Sequence, residues 1–391
     1  MVLVPESVKW PGPWTKLGQV TATGSSAVLR NDLVSDPWVV VTHRFGDPTK
    51  PLKMWVTLSR QFNGPPKFYP GIFWTESADG LNWVNPYTEA DPWRYLVLRP
   101  VLGQEDGLGN ETFSAIYSPG DSKWFGYYMG YPGQATTGRQ NWIFQAESMD
   151  GIVWTKKGPI LKPVNLWERT YFVDDPEVGI TENGGLGETS PLVIDGRYHM
   201  WYAAFTQNAA YPWGWRIGLA QSGDSGISSW QRSSTDPVFD LGRKPAWDDG
   251  QVSHQCVVRD PGGWGYHLFY YGVPGPDTLG YKTGIGHAFS VDARVWERNP
   301  NNPILTMGPS SWDSENIGGP CALIYNNKWY MWYHGGTNPN FSNNNILLAT
   351  APYDTADRFE NPLRADQRGA PLWPLAPELS GSTKIVIKVR P

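Results

Sequence analysis

Three acids and a histidine stand at comparable places in this chain. Asp36 opens "SDPWVVV" (35–41), Glu111 lies in "GLGNETFSAIY" (107–117), Glu188 in "GLGETSPLVI" (185–194) and His254 in "VSHQCVV" (252–258). Each precedes an apolar run that reads as a buried strand. A carboxylate at the mouth of such a strand is costly unless it is hydrogen-bonded, paired or open to a cleft. A single acid is explained by capping of local N–H groups, which Asp and Glu do at turn-to-strand junctions. Three acids that converge suit a different purpose, because like charges held close raise one another's pKa and separate an acid from a base. Hydrolysis of a glycosidic bond needs that division: one protonated carboxyl assists the leaving group, and one ionised carboxylate activates water or attacks.

Whether these groups converge depends on the elements that carry them. The segment "GIFWTESADGLNW" (71–83) is echoed by "WIFQAESMDGIVW" (142–154), and more weakly by "RIGLAQSGDSGISSW" (216–230), "GIGHAFSVDARVW" (284–296) and "NILLATAPYDTADRF" (345–359). Their anchors Ile72, Ile143, Ile217, Ile285 and Ile346 are 71, 74, 68 and 61 residues apart. An aromatic strand precedes each echo: "KMWVTLS", "WFGYYMG", "YHMWYAAF", "YHLFYYG" and "WYMWYHGG". Before each of these lies another apolar run ending in a turn. Four strands per unit and five units predict a five-bladed β-propeller, four antiparallel strands per blade, with every first strand lining a central channel. A β-sandwich has no such period, and a β-helix repeats at far shorter ones.

The chain reads as one domain over 1–391, with blades at roughly 33–100, 101–164, 165–242, 243–308 and 309–375 and terminal straps. The tail "STKIVIKV" (382–389) alternates and is a candidate extra strand. Each "DG" before a tryptophan reads as a tight turn between third and fourth strands, with the Trp packing between blades. Superposed on Glu188, the blade heads are Asp36, Glu111, His254 and Gly319.

Composition agrees with an all-β chain: 391 residues with 22 Trp, 19 Tyr, 43 Gly and 35 Pro suit many short strands and turns. A net charge of -5 gives no reason to expect nucleic acid or an anionic membrane as partner. No apolar stretch approaches the roughly 20 residues that span a bilayer. The N-terminus as written has no signal-peptide pattern, and the compartment stays open between cytoplasm and secretion. Cys256 and Cys321 form neither a metal-ligand spacing nor a disulfide framework.

The "SDPWVVV" start, the acid–x–Ser–Pro head of blade 3, the "DGxxW" turns and the unit count together resemble the clan of five-bladed propeller glycoside hydrolases. That clan includes family 43 arabinanases, arabinofuranosidases and xylosidases, and the invertase and levanase group. The resemblance implies a general base or nucleophile at Asp36, a pKa-tuning acid at Glu111 and a general acid at Glu188. It also implies an oligo- or polysaccharide substrate rich in furanosides or pentoses, such as arabinan. Blade 2 departs from the pattern by offering Glu where the family has Asp. The invertase group is disfavoured, since "VVRDPGG" (257–263) puts its RDP at a turn of blade 4. No cofactor is implied, although members of the clan hold a cation such as calcium, or a water, in the channel near a histidine placed like His254.

Other residues qualify as substrate contacts. Asp174 and Asp175 in "FVDDPEV" lie on the connection into blade 3, and Asp175 is a substitute for Glu111 or Glu188. Tyr211, Trp213, Trp215 and Arg216 in "FTQNAAYPWGWR" (205–216) supply flat apolar faces and a bidentate donor on what reads as a loop. His254 and Glu315 complete the candidates. Asp248 and Asp313, each following a Trp, read as structural corners. Two rivals to the hydrolase remain: a mannoside phosphorylase, which would need a cationic phosphate site, and a glycan-binding or structural propeller without catalysis.

Overall fold

The computed structural model describes residues 4–22, 34–59, 70–85, 96–101, 103–131, 140–172, 181–206, 214–222, 229–278, 280, 282–308, 312–338 and 344–353. Among these residues the chain forms five successive antiparallel units. Their inner strands are Val34–Val41, Asn110–Ser118, Thr181–Ile194, Gln251–Arg259 and Asn316–Tyr325. Second strands are Leu52–Leu58, Lys123–Gly130, Arg197–Thr206, Tyr266–Val273 and Lys328–Gly336. Third strands are Gly71–Ser77, Gln140–Ser148, Gly214–Ser222, Gly284–Ser290 and Asn344–Pro352. Each inner strand touches the inner strands of both neighbouring units, and the last touches the first, so the ring closes as a β-propeller. Units two and three also share a short parallel pairing, Gly184 with Gln140 and Gly185 with Asn141.

Fourth strands are short at the rim: Asn82–Val84, Thr155–Leu161, Gln231–Arg232 and Glu297–Arg298. In blade 5 the place is taken by the N-terminal strand Thr15–Gln19, which pairs antiparallel with Asn344–Pro352. The first strand in sequence therefore completes the last blade. The tail 382–389 lies outside the described residues.

The core sits between blade faces and explains most of the tryptophans. Trp55, Trp74, Trp124 and Trp154 pack with Phe45 and Phe113 between blades 1 and 2. The turn tryptophans are fixed as well as buried: Trp154 Nε1 donates to Gly151 O at 3.0 Å, and Trp55 from the neighbouring blade donates to the same oxygen at 3.2 Å. Trp83 and Trp332 share Gly80 O in the same way, at 2.9 and 2.8 Å.

A second device repeats at the outer corners. Tyr128, Tyr202, Tyr270 and Tyr333 on the second strands donate to Asp106, Glu168, Asp248 and Asp313 on the preceding connections, at 2.9, 2.7, 2.9 and 3.2 Å. Each acid also meets a cation of its own blade's fourth strand. These are Lys156 at 2.5 Å, Arg232 at 2.6 Å, Arg298 at 2.8 Å and Lys16 at 2.5 Å. Asp248 and Asp313 are thus structural corners, and Lys16 ties the N-terminal strand into blade 5.

Removing one partner of a buried pair leaves an uncompensated charge, at a cost of about 3–5 kcal/mol. Lys16→Met strands Asp313, whose side chain is fully buried, so a loss approaching that range is expected in urea unfolding. Lys244→Met removes only the exposed pair with Asp277 and should cost less than about 1 kcal/mol. Equal effects of the two substitutions would refute the closing role of Lys16.

Candidate active site

Every inner strand bears the same irregularity near its start. Register shifts fall between Ser35 and Trp38, Glu111 and Ser114, Gly187 and Ser190, Ser253 and Cys256, and Gly318 and Cys321. Inside each bulge one residue is left-handed: Asp36 at φ 51°, Thr112 at 50°, Glu188 at 53°, His254 at 48° and Gly319 at 56°. Such backbone costs a non-glycine residue on the order of 1–3 kcal/mol and persists only where its surroundings enforce it. Its effect is to turn the N–H and side chain of the bulged residue toward the axis.

The turned groups interlock from blade to blade. Glu188 N–H donates to Thr112 Oγ1 at 3.2 Å, and His254 N–H donates to Glu188 Oε2 at 2.7 Å. Thr112 N–H donates to Thr57 Oγ1 at 2.9 Å, and Asp36 N–H donates to His334 Nδ1 at 3.3 Å. Just below lies a second ring. Val257 N–H donates to Ser190 Oγ at 2.9 Å, Ala322 N–H to Cys256 Sγ at 3.3 Å and Val39 N–H to Cys321 Sγ at 3.1 Å. The two cysteines are buried free thiols that act here as small acceptors between blades.

Asp36, Glu188, His254 and Gly319 occupy equivalent bulge positions and line one small cavity at the head end of the axis, with Thr112, Thr189 and Gln255. In blade 2 the equivalent residue is Thr112, not Glu111. Glu111 stands one position earlier, half-buried, with Oε2 accepting from Tyr131 OH at 2.7 Å. The sequence alignment slipped here because an acid was sought at the head, and the chain places a β-branched hydroxyl there instead.

The His254 ring bridges the two head carboxylates. Its Nε2 lies 3.2 Å from Asp36 Oδ1, and its Nδ1 lies 3.2 Å from Glu188 Oε1. Ser35 Oγ donates to Asp36 Oδ2 at 2.7 Å. Burial by itself would raise Asp36, but the bond and charge of His254, with His334 and Ser35, hold its carboxyl well below the usual range. Burial works against the His254 cation, yet the charges of Glu188, Asp36 and Glu111 push it up to about 9. Glu188 is raised by burial and by Asp36, with His254 opposing. Glu111 is pushed up to about 7, by burial and by the Asp36 and Glu188 charges, against the Tyr131 bond and His254.

His334 was not among the residues singled out in the sequence. It reaches the axis from the second strand of blade 5, paired across from Gly318. A Cβ on Gly319 would lie 2.6 Å from His334 Nδ1 and 3.2 Å from Asp36 Oδ1, and one on Gly318 would lie 2.8 Å from His334 Nε2. The glycines thus make room for the imidazole, which takes the fifth place in the ring. Burial lowers it to about 4, and its Nδ1 accepts the Asp36 N–H as a neutral ring must. The readable signal was a histidine facing a Gly-Gly head.

The remaining candidates that are described do not join this cluster. Asp174, Asp175, Tyr211 and Trp213 lie outside the described residues. Trp215 and Arg216 belong to the third strand of blade 3, not to a loop. Arg216 is buried and donates to Asp240 Oδ1 at 2.8 Å, so it is no free sugar donor. Trp215 packs against Phe205, ring centroids 5.5 Å apart. Glu315 is exposed beside the start of Asn316–Tyr325 and outside the cavity lining. The excursion 43–50 follows the far end of its inner strand, away from the heads.

Both ring nitrogens of His254 face carboxylate oxygens, so the ring itself offers no free nitrogen to a cation. Among the described residues no group of three or more His, Cys, Asp or Glu is arranged to hold a metal.

Stability should record this pairing. The unfolded value of histidine is about 6.5, so the contribution from His254 is fully present below that pH and is lost as pH rises through about 9. Melting temperature followed from pH 6 to 10 should fall more steeply in wild type than in His254→Gln. Parallel curves would mean that His254 is not held as a cation.

No family model matches the sequence. An uncharacterised protein of Mycobacterium tuberculosis, MT1551, is 27% identical over 251 residues, which cover 61% of this chain and 71% of the relative. A solved complex of BT0996 with RGII matches with TM-score 0.63 and 18% identity, over 87% of this chain and 92% of that one. A thermostable family-43 glycoside hydrolase matches with TM-score 0.52 and 15% identity, over 81% of this chain and 88% of that one. A member of the GH130 mannoside phosphorylase family, reported to contain hydrolases of β-1,2 mannosidic linkages, matches with TM-score 0.54 and 14% identity over 84% and 88%. At these identities the likeness is one of fold: the chain has the all-β propeller fold that glycoside hydrolases of several families use.

Proposed function

We propose that this protein is a glycoside hydrolase acting on a furanoside- or pentose-containing glycan, with Asp36 and Glu188 as its essential carboxylates. The observation that carries the reading is their arrangement. Two acids from blades 1 and 3 are turned to the axis by the same strained bulge and face one cavity across the ring of His254. Asp36, held ionised, suits a base that takes a proton from water or a nucleophile that attacks carbon. On the family pattern Glu188 gives the proton to the leaving oxygen. Capping alone does not account for paired acids whose nearest cation is shared.

The phosphorylase alternative needs cations for phosphate. Among the described residues lining the cavity His254 is the only cationic one, and two carboxylates already flank it. The solved neighbours support saccharide substrates in general, and the pentose preference rests on the family resemblance.

The test is reducing-sugar release from arabinan, arabinoxylan, arabinogalactan, levan, inulin, mannan and RGII. Wild type should act on at least one. Asp36→Asn and Glu188→Gln should each lower kcat/KM by about 10²–10⁴-fold with the fold retained. Activity that survives both changes would overturn the assignment, and inactivity of folded wild type on every glycan would favour a binding module.

A further inference from the structure

The bulge gives blade 2 a threonine at its head and leaves Glu111 one residue above the ring, in a setting unlike that of Glu188. Glu188 is 7% exposed and both of its oxygens face donors: Oε2 accepts the His254 N–H, and Oε1 lies 3.2 Å from the His254 ring. Its main-chain oxygen accepts from Gln255, so the residue is clamped at backbone and side chain alike. A proton placed on Glu188 would weaken both of these interactions, which favour the ionised form. Glu111 accepts a single bond, from Tyr131 OH, and its Oε1 has no partner among the described residues. Glu111 is half-buried, which leaves it more open than the buried Glu188.

Resting on the hydrolase reading, we propose that the proton donor of this site is Glu111, oriented by Tyr131, in place of Glu188. The Glu111 O–H proton passes to the glycosidic oxygen as the bond from that oxygen to the anomeric carbon breaks, and the bonding pair stays on oxygen. Water adds to the anomeric carbon and gives its proton to Asp36, and proton exchange with solvent then returns Asp36 to the carboxylate and Glu111 to the acid form. Glu188 stays ionised beside the positive charge that develops on the sugar. The rise of Glu111 to about 7 agrees with this placement, since a donor must hold its proton near neutrality.

Two substrates that share the sugar released in the panel test the assignment, one the natural oligosaccharide and the other a 2,4-dinitrophenyl glycoside. A leaving group that needs no proton hides the loss of the acid. Glu111→Gln should fall by about 10³-fold on the natural linkage and by less than about tenfold on the dinitrophenyl glycoside. Glu188→Gln should fall on both. Tyr131→Phe should lower kcat less than Glu111→Gln does and move the alkaline limb of the pH profile upward, because the lost hydrogen bond favoured the ionised form. Independently of turnover, carbon NMR of side-chain-labelled glutamate should show one carboxyl titrating near 7 that is missing from Glu111→Gln and present in Glu188→Gln. The reverse leaving-group pattern, or loss of that titration in Glu188→Gln, would overturn the proposal. An active wild type with no carboxyl titrating near neutrality would overturn it alone, whereas a wild type inactive on every glycan would overturn the hydrolase reading and this proposal with it.

Discussion

The axial end of this protein depends on one backbone constraint, a left-handed residue inside a bulge near the start of every inner strand. Ordinary β geometry alternates side chains across the blade and sends none of them straight toward the axis. The bulge breaks that alternation at one position, and its N–H and side chain swing inward together. Four of the five residues held this way are not glycine, so the ring carries a standing strain of about 1–3 kcal/mol per residue. Hydrogen bonds from one blade's turned N–H to the previous blade's turned side chain help to hold it. The fifth position is glycine for a packing reason, since His334 fills the space that a side chain would need.

Acids of the same chemical type have opposite fates elsewhere in the fold. Asp106, Glu168, Asp248 and Asp313 each meet a tyrosine hydroxyl and a Lys or Arg, which ties each of them to its own blade. At the heads the only cation within reach of Asp36 and Glu188 among the described residues is His254, whose charge is itself conditional on theirs. The corner acids are thus tied into the scaffold by cations of their own, whereas the head acids share one histidine.

Much of this was legible in sequence and some was not. The 61-to-74-residue spacing of Ile72, Ile143, Ile217, Ile285 and Ile346 revealed the units, because each must bury the same faces against its neighbours. Asp36, Glu188, His254 and Gly319 could be superposed by counting back from the aromatic second strand once the differing turn lengths were allowed for. Glu111 was misplaced by one residue, since Asn110-Glu111-Thr112 offers an acid beside the head and nothing in the residue types reveals which position is left-handed. Arg216 was misread because Pro and Gly nearby masked a strand that runs through it. His334 was missed because it comes from a second strand, where aromatic and apolar residues are the rule. The N-terminal closure was missed because a pairing across the whole chain has no local signature.

The charge of the head cluster follows from the same geometry. Asp36, Glu188, Glu111 and His254 lie in a setting that penalises every uncompensated charge. With His254 protonated and all three carboxyls ionised the cluster would carry a net charge of about −2, and one added proton lowers that to about −1. On the proposed assignment the proton settles on the carboxyl with the fewest competing donors. Asp36 is held by the bridging imidazole and Ser35, and Glu188 by the His254 N–H and ring. Glu111 has one hydroxyl. A site left with one net negative charge and one neutral acid favours a sugar that becomes positive as its leaving oxygen becomes negative, and on the proposed assignment the bulge register that put Thr112 at the blade 2 head leaves Glu111 to be that acid.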